Sequence, residues 1–238
     1  MSAAPTSDSI AARVGAWSRR LAARWLVARA LDLRVVGLEH VPAAGPAILV
    51  ARHYHHLYDA AAILACVPRE VHVLIALDWL GGGPRLHVMR WLAAAARWPG
   101  VWRSGPSWRL NRDGYRLSLR LLREGRLLLV FPEGYPVIDP EGSRKTDTDG
   151  CLPFDAGFLV LARRAGLEVP IVPAGLSYAP RPGGGWRVWL RFGRPVSLST
   201  AEPGQHRAQV ATLEAEVHRL SAPPTDLNLL PETFSKPV

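Results

Sequence analysis

AILVARHYHHLYDAAAILAC, residues 47–66, decides how the rest of the chain is read. Ala47–Ala51 is short and wholly apolar, the composition of a strand covered on both faces. Arg52 ends it, and a polar stretch follows: His53, Tyr54, His55, His56, Leu57, Tyr58 and Asp59. From Ala60 to Cys66 the chain is Ala, Ile and Leu, which favours a helix. The segment is therefore a buried strand, a loop dense in titratable groups, and a helix whose first turn holds Asp59.

The same alternation continues outward. Val71–Leu77, Val101–Arg103, Arg126–Phe131, Val169–Leu176 and Trp186–Phe192 are expected strands. Leu86–Arg97, Asp113–Arg123, Phe154–Ala165 and Gln205–Leu220 are expected helices. Strands alternating with helices predict an α/β fold, a mixed, largely parallel central sheet flanked by helices.

Upstream, Ser9 is placed to cap a helix over residues 10–31. Ile10, Val14, Trp17, Leu21, Trp25, Ala28 and Leu31 recur on it at three or four residues, interleaved with Arg13, Arg19, Arg20, Arg24 and Arg29. Tryptophan and arginine on one amphipathic helix suit a membrane interface, although packing against the domain explains the same periodicity. Every apolar stretch is interrupted before the roughly 18–20 residues that a spanning helix needs. No signal peptide is read in the arginine-rich N-terminal stretch.

The chain has 238 residues, 48% hydrophobic and 21% charged, enough for one packed domain. Its formal net charge is +9, almost all from arginine, since Lys145 and Lys236 are the only lysines. Arginine forks around phosphate oxygens, so a phosphate-bearing partner is expected. The arginines are scattered through helix and strand candidates alike, which argues against nucleic acid. Cys66 and Cys151 are too few for a disulfide framework or a zinc site.

In the 53–59 loop, an ionised Asp59 at a helix N-terminus can accept a hydrogen bond from one imidazole nitrogen. The other nitrogen is then a base aimed outward. A metal site is the alternative, but no cysteine or second carboxylate lies nearby. Farther on, Gly125–Val130 reads as a turn and buried strand that runs into Phe131–Pro132–Glu133–Gly134. Pro132 stops the strand and Gly134 permits a tight bend. Glu133 is thereby presented at a strand end.

Taken in order, these segments resemble the glycerolipid acyltransferase family, whose best-known members are 1-acylglycerol-3-phosphate acyltransferases. The resemblance covers roughly residues 35–198. Gly37–Pro42 and Gly45–Val50 look like the strand into the first block, and His53 through Asp59 occupies the place of its His-x4-Asp motif. Gly100–Val101–Trp102–Arg103 looks like the second block, which usually ends in a phosphate-binding arginine. Phe131–Gly134 is the third block, Val169–Ala174 resembles the fourth, and Phe192–Gly193–Arg194–Pro195 matches the closing strand and turn.

The chain departs from the pattern twice. Five residues separate His53 from Asp59 and three separate His55 from it, where the family has four. His53 is preferred, with one residue looped out, and His55 is the fallback. After Gly134 the family usually continues Thr-Arg-Ser, whereas here Tyr135–Pro136–Val137 follows. Arg144 or Lys145 is then expected to supply the phosphate contact, beside Arg103, with Glu133 and Gly134 shaping the acceptor site.

The resemblance implies an acyltransferase domain over 35–222, preceded by the basic amphipathic helix within 1–34 and followed by an irregular tail over 223–238. It implies transfer of a fatty acyl group from acyl-CoA or acyl carrier protein to a lysophospholipid hydroxyl. No metal or separate cofactor is expected, and the setting is peripheral, at the cytoplasmic face of a membrane. The rival reading is a non-catalytic, lipid-binding membrane-surface protein on the same scaffold.

Overall fold

The computed structural model describes residues 10–78, 83–103, 108–139, 151–197 and 206–223. The N-terminal helix α1 (Ile10–Ala30) leads into β1 (Leu31–Val36), a short 3-10 turn (Leu38–His40) and β2 (Ala47–Ala51). Then come α2 (Tyr58–Cys66), β3 (Val71–Val73), β4 (Ile75–Ala76), α3 (Pro84–Ala95) and β5 (Gly100–Val101). The chain continues through α4 (Trp108–Arg123), β6 (Leu127–Val130), α5 (Gly157–Arg164), β7 (Ile171–Pro180), β8 (Trp186–Phe192) and α6 (His206–Ser221).

Six strands form one sheet in the order β1-β8-β7-β2-β6-β3. Every neighbouring pair is parallel except the β7–β8 hairpin. The expected mixed, largely parallel α/β fold is the one observed. The central strands β2 and β6 are apolar without interruption because both faces are covered. Ala47, Leu49 and Ala51 of β2 join a core under α1 and α2, with Ala23, Val27, Ala62 and Ile63. Ile48 and Val50 point the other way, into a core built with Leu122 of α4, Phe158 of α5 and Val217 of α6.

At the N-terminal ends of the strands, the Arg69 guanidinium donates to the carbonyls of Pro42, Gly45 and Gly125 at 2.7–2.9 Å. One side chain so ties together the loops that enter β2, β6 and β3. The opposite, C-terminal ends of β7, β2 and β6 lie side by side, the edge where open α/β sheets place ligands.

The expected strand over 71–77 is divided. Val73 is its last residue paired with β6, and after the Leu74 N–H donates to Leu129 the Ile75 N–H turns to Pro99. β4 then pairs with β5 in a separate two-stranded sheet. α4 holds that small sheet closely: a Cβ on Gly114 would fall 2.2 Å from the Gly100 carbonyl oxygen.

Candidate active site

All five residues of β2 are fully buried, and the chain leaves the sheet at Arg52. His53 Nδ1 then lies 2.9 Å from Oδ2 of Asp59, which is fully buried in the first turn of α2. The same oxygen accepts the backbone N–H groups of Tyr54 at 2.6 Å and His55 at 2.8 Å. Backbone N–H groups can only donate, so Oδ2 is an acceptor and His53 Nδ1 carries the proton between them. In the neutral ring, Nε2 is then the nitrogen with the lone pair. The irregular spacing has a physical account here, because the extra residue lets two peptide N–H groups wrap around the carboxylate.

The His55 ring is occupied differently. Its Nδ1 faces the Leu57 N–H at 3.3 Å, and the ring packs on Tyr58 with centroids 4.2 Å apart. Burial is the main cause pushing this imidazole down to about 4, followed by the neighbouring His56; Asp59 pulls the other way. His55 is therefore neutral near pH 7. His56 donates its backbone N–H to Ile138, whose own N–H goes to Tyr54, so the loop after Gly134 is stitched to the histidine loop.

Three further contacts hold the pair. The Tyr178 hydroxyl, near the end of β7, donates to Asp59 Oδ1 at 2.5 Å. Burial, then the charge of Asp59, raises the Tyr178 phenol well above its ordinary value, so it remains a donor. Its ring stacks on Tyr54 with centroids 4.6 Å apart. Phe131 stacks on the His53 ring at 4.3 Å. Glu133, buried just past β6, accepts the backbone N–H of His53 at 2.8 Å through Oε1 and that of Leu152 at 3.1 Å through Oε2.

Arg103 and Gly134 are brought together a short way along the same edge. The Arg103 side chain donates through Nη1 to the Gly134 carbonyl and through Nε to Asp78 Oδ1 at 2.9 Å. Its backbone N–H reaches Asp78 Oδ2 at 3.1 Å, and the guanidinium carbon sits 4.0 Å from the centre of the Tyr135 ring. Gly134 has φ +73°, the left-handed region that turns its carbonyl toward Arg103. Arg144 and Lys145 lie outside the described residues.

Asp78 and Tyr178 were not singled out from the sequence. Asp78 lies just past β4 and Tyr178 near the end of β7, and that position is the only signal either carries. Cys66 is buried, and desolvation pushes its thiol up to about 12, unlike an activated nucleophile. Among the described residues no group of His, Cys, Asp and Glu is arranged to hold a metal ion. An imidazole oriented by a buried carboxylate, with an arginine at the same edge, is equipped to deprotonate a hydroxyl and hold an anionic group.

The sequence profile of the family described as Acyltransferase matches residues 32–177, which spans β1 to Ser177 in β7. Among curated proteins none matches at a significant level. The crystal structure of the 1-acyl-sn-glycerophosphate (LPA) acyltransferase PlsC from Thermotoga maritima has a similar fold, with a TM-score of 0.58 at 21% identity. That likeness covers 87% of this chain and 77% of the other. The matched span holds the whole His53–Asp59 loop together with Arg103 and Glu133, and the chain belongs to the acyltransferase family.

Proposed function

We propose that this protein transfers a fatty acyl group from a thioester, acyl-CoA or acyl carrier protein, to the hydroxyl of a lysophospholipid such as 1-acylglycerol-3-phosphate. The observation that carries the reading is the His53 Nδ1 to Asp59 Oδ2 contact of 2.9 Å. In the proposed step, His53 Nε2 takes the hydroxyl proton as that oxygen attacks the thioester carbonyl. Asp59 stabilises the imidazolium. The tetrahedral intermediate collapses with loss of the thiolate, which takes the proton back from His53, leaving an ester and a free thiol. Arg103 holds the acceptor phosphate by charge-assisted hydrogen bonds, with Arg144 or Lys145 as a second cation. The acyl thioester is a co-substrate, and the step calls on no separate cofactor.

The proposed setting is peripheral, on the cytoplasmic face of a membrane. Among the described residues no helix is long and apolar enough to cross one. α1 docks through Ala23 and Val27, while Val14, Trp17, Leu21 and Trp25 form an exposed stripe on its opposite face. Its 21 residues include five arginines and no acid, the composition of a helix that lies on anionic lipid.

The reading is tested by following thiol release from acyl-CoA and acyl carrier protein against a panel of lysophospholipids. Release that depends on an added lysophospholipid is expected. Its absence with every donor and acceptor pair would favour the lipid-binding alternative.

A further inference from the structure

We infer that α3 is a second lipid-contact element, which sets the Arg103–Asp78 subsite against a bilayer surface bearing anionic lipid. The inference rests on the acyltransferase reading for its function, and on the outward face of one helix for its structure.

α3 packs inward through Ala93, with Leu86 and Met89 partly covered on the same side. An ordinary surface helix is polar on the opposite face. α4 follows that rule, with Arg112, Arg116 and Arg120 outward. α3 does not. Val88, Trp91 and Leu92, spaced i, i+3 and i+4, are 58%, 69% and 45% exposed, and exposed Ala95 extends the stripe. Apolar side chains clustered on one exposed face mark a contact surface.

Charge decides between a protein and a lipid occupant. The sequence of α3, PRLHVMRWLAAA, holds Arg85, Arg90 and His87 and no acidic residue. A basic helix with tryptophan on its apolar side suits anionic headgroups above and acyl chains below. α1 carries the same combination, so α3 repeats it on a separate element.

Position gives the surface its use. α3 is the crossover of a strand–helix–strand unit. Asp78 follows the first strand, β4, and Arg103 follows the second, β5, and the two side chains pair at 2.9 Å. The helix that meets lipid is thus carried by the two strands that present the acceptor-binding arginine. A lysophospholipid could move from bilayer to subsite with its acyl chain still in the membrane.

The test places an environment-sensitive fluorophore on a single exposed cysteine, Cys66 being buried. Cys151→Ser removes the partly exposed thiol, and Trp91→Cys adds the probe site on the full chain. Ala208→Cys, exposed on α6, is the control. Vesicles of phosphatidylcholine alone, or with phosphatidylglycerol, are then added. A blue shift at position 91 that grows with phosphatidylglycerol and is absent at 208 is expected. No shift at 91, an equal shift at 208, or a shift on raising protein concentration without lipid would each overturn the inference, the last by making the occupant a second copy of the chain.

A second arm compares Trp91→Glu with wild type. Turnover of vesicle-embedded acceptor is expected to fall at least tenfold, with a short-chain soluble acceptor turned over unchanged. An equal fall on both acceptors overturns the role of α3 in lipid delivery. Absence of turnover in the wild type would remove the acyltransferase reading and leave the fluorescence arm to decide lipid contact alone.

Discussion

Glu133 and His53 are joined through the backbone: the carboxylate after β6 accepts the peptide N–H after β2, at 2.8 Å. Its other oxygen takes the Leu152 N–H at 3.1 Å. Two donors on two oxygens require a carboxylate. Glu133→Gln offers one carbonyl and sets an amide N–H against the other peptide N–H, a loss of about 1–3 kcal/mol. Steady-state kinetics is expected to show kcat reduced tenfold or more with little change in acceptor KM. A rise in KM alone would make Glu133 an acceptor contact instead.

Tyr178 acts on Asp59 from the side away from His53. Removing its hydroxyl, Tyr178→Phe, takes one of four donors from the buried carboxylate, and hydrogen bonds to charged groups contribute about 1.5–3 kcal/mol. A tenfold or greater fall in kcat/KM is expected. Phenylalanine keeps the ring that stacks on Tyr54, so the loss falls on the hydroxyl. An unchanged kcat/KM would mean that Tyr178 supports the site only through its ring packing.

His55 makes folding stability depend on pH. Its imidazole stands at about 4 in the fold, against an ordinary value of 6.5. Between those values the unfolded chain binds more protons, so the stability from keeping it neutral is whole above 6.5 and lost as pH falls toward 4. The loss reaches about 2 kcal/mol by pH 5. Urea denaturation of wild type and His55→Asn between pH 7.5 and 5 is expected to show a steeper decline in the wild type. Parallel declines would contradict it.

Asp78 holds Arg103 by the Nε contact of 2.9 Å and by the backbone contact of 3.1 Å. Asp78→Ala removes one of the anchors of the guanidinium, and a less firmly placed arginine binds phosphate less well than a fixed one. Acceptor KM is expected to rise several-fold with donor KM unchanged. An unaltered acceptor KM would separate Arg103 from headgroup binding.

Much of this architecture is legible in the sequence. β2 falls where its apolar run falls, because a strand covered on both faces leaves no polar position to blur its ends. α2 begins two residues earlier than expected, at Tyr58, since the loop closing on Asp59 Oδ2 brings the helix start with it. The break at Leu74 was hidden because residues 71–77 stay apolar while changing partners from β6 to β5. At the site, the preference for His53 over His55 rested on its place at the strand end, and the ring contacts separate the two. Tyr178 was out of reach because its meeting with Asp59, 119 residues earlier, depends on β7 lying beside β2. Glu133 was visible as a residue but not as a partner of a peptide N–H, which only the β2–β6 register supplies.

The central claim is that His53 is the base and Asp59 its orienting carboxylate. Its most direct measurement is kcat/KM for thioester-dependent acylation of lysophosphatidic acid by wild type, His53→Ala and Asp59→Asn, each shown to be folded by its thermal melt. General base catalysis contributes about 10²–10⁴ in rate. The account predicts a loss of that order in His53→Ala and a large loss in Asp59→Asn. Turnover by folded His53→Ala equal to that of the wild type would contradict it.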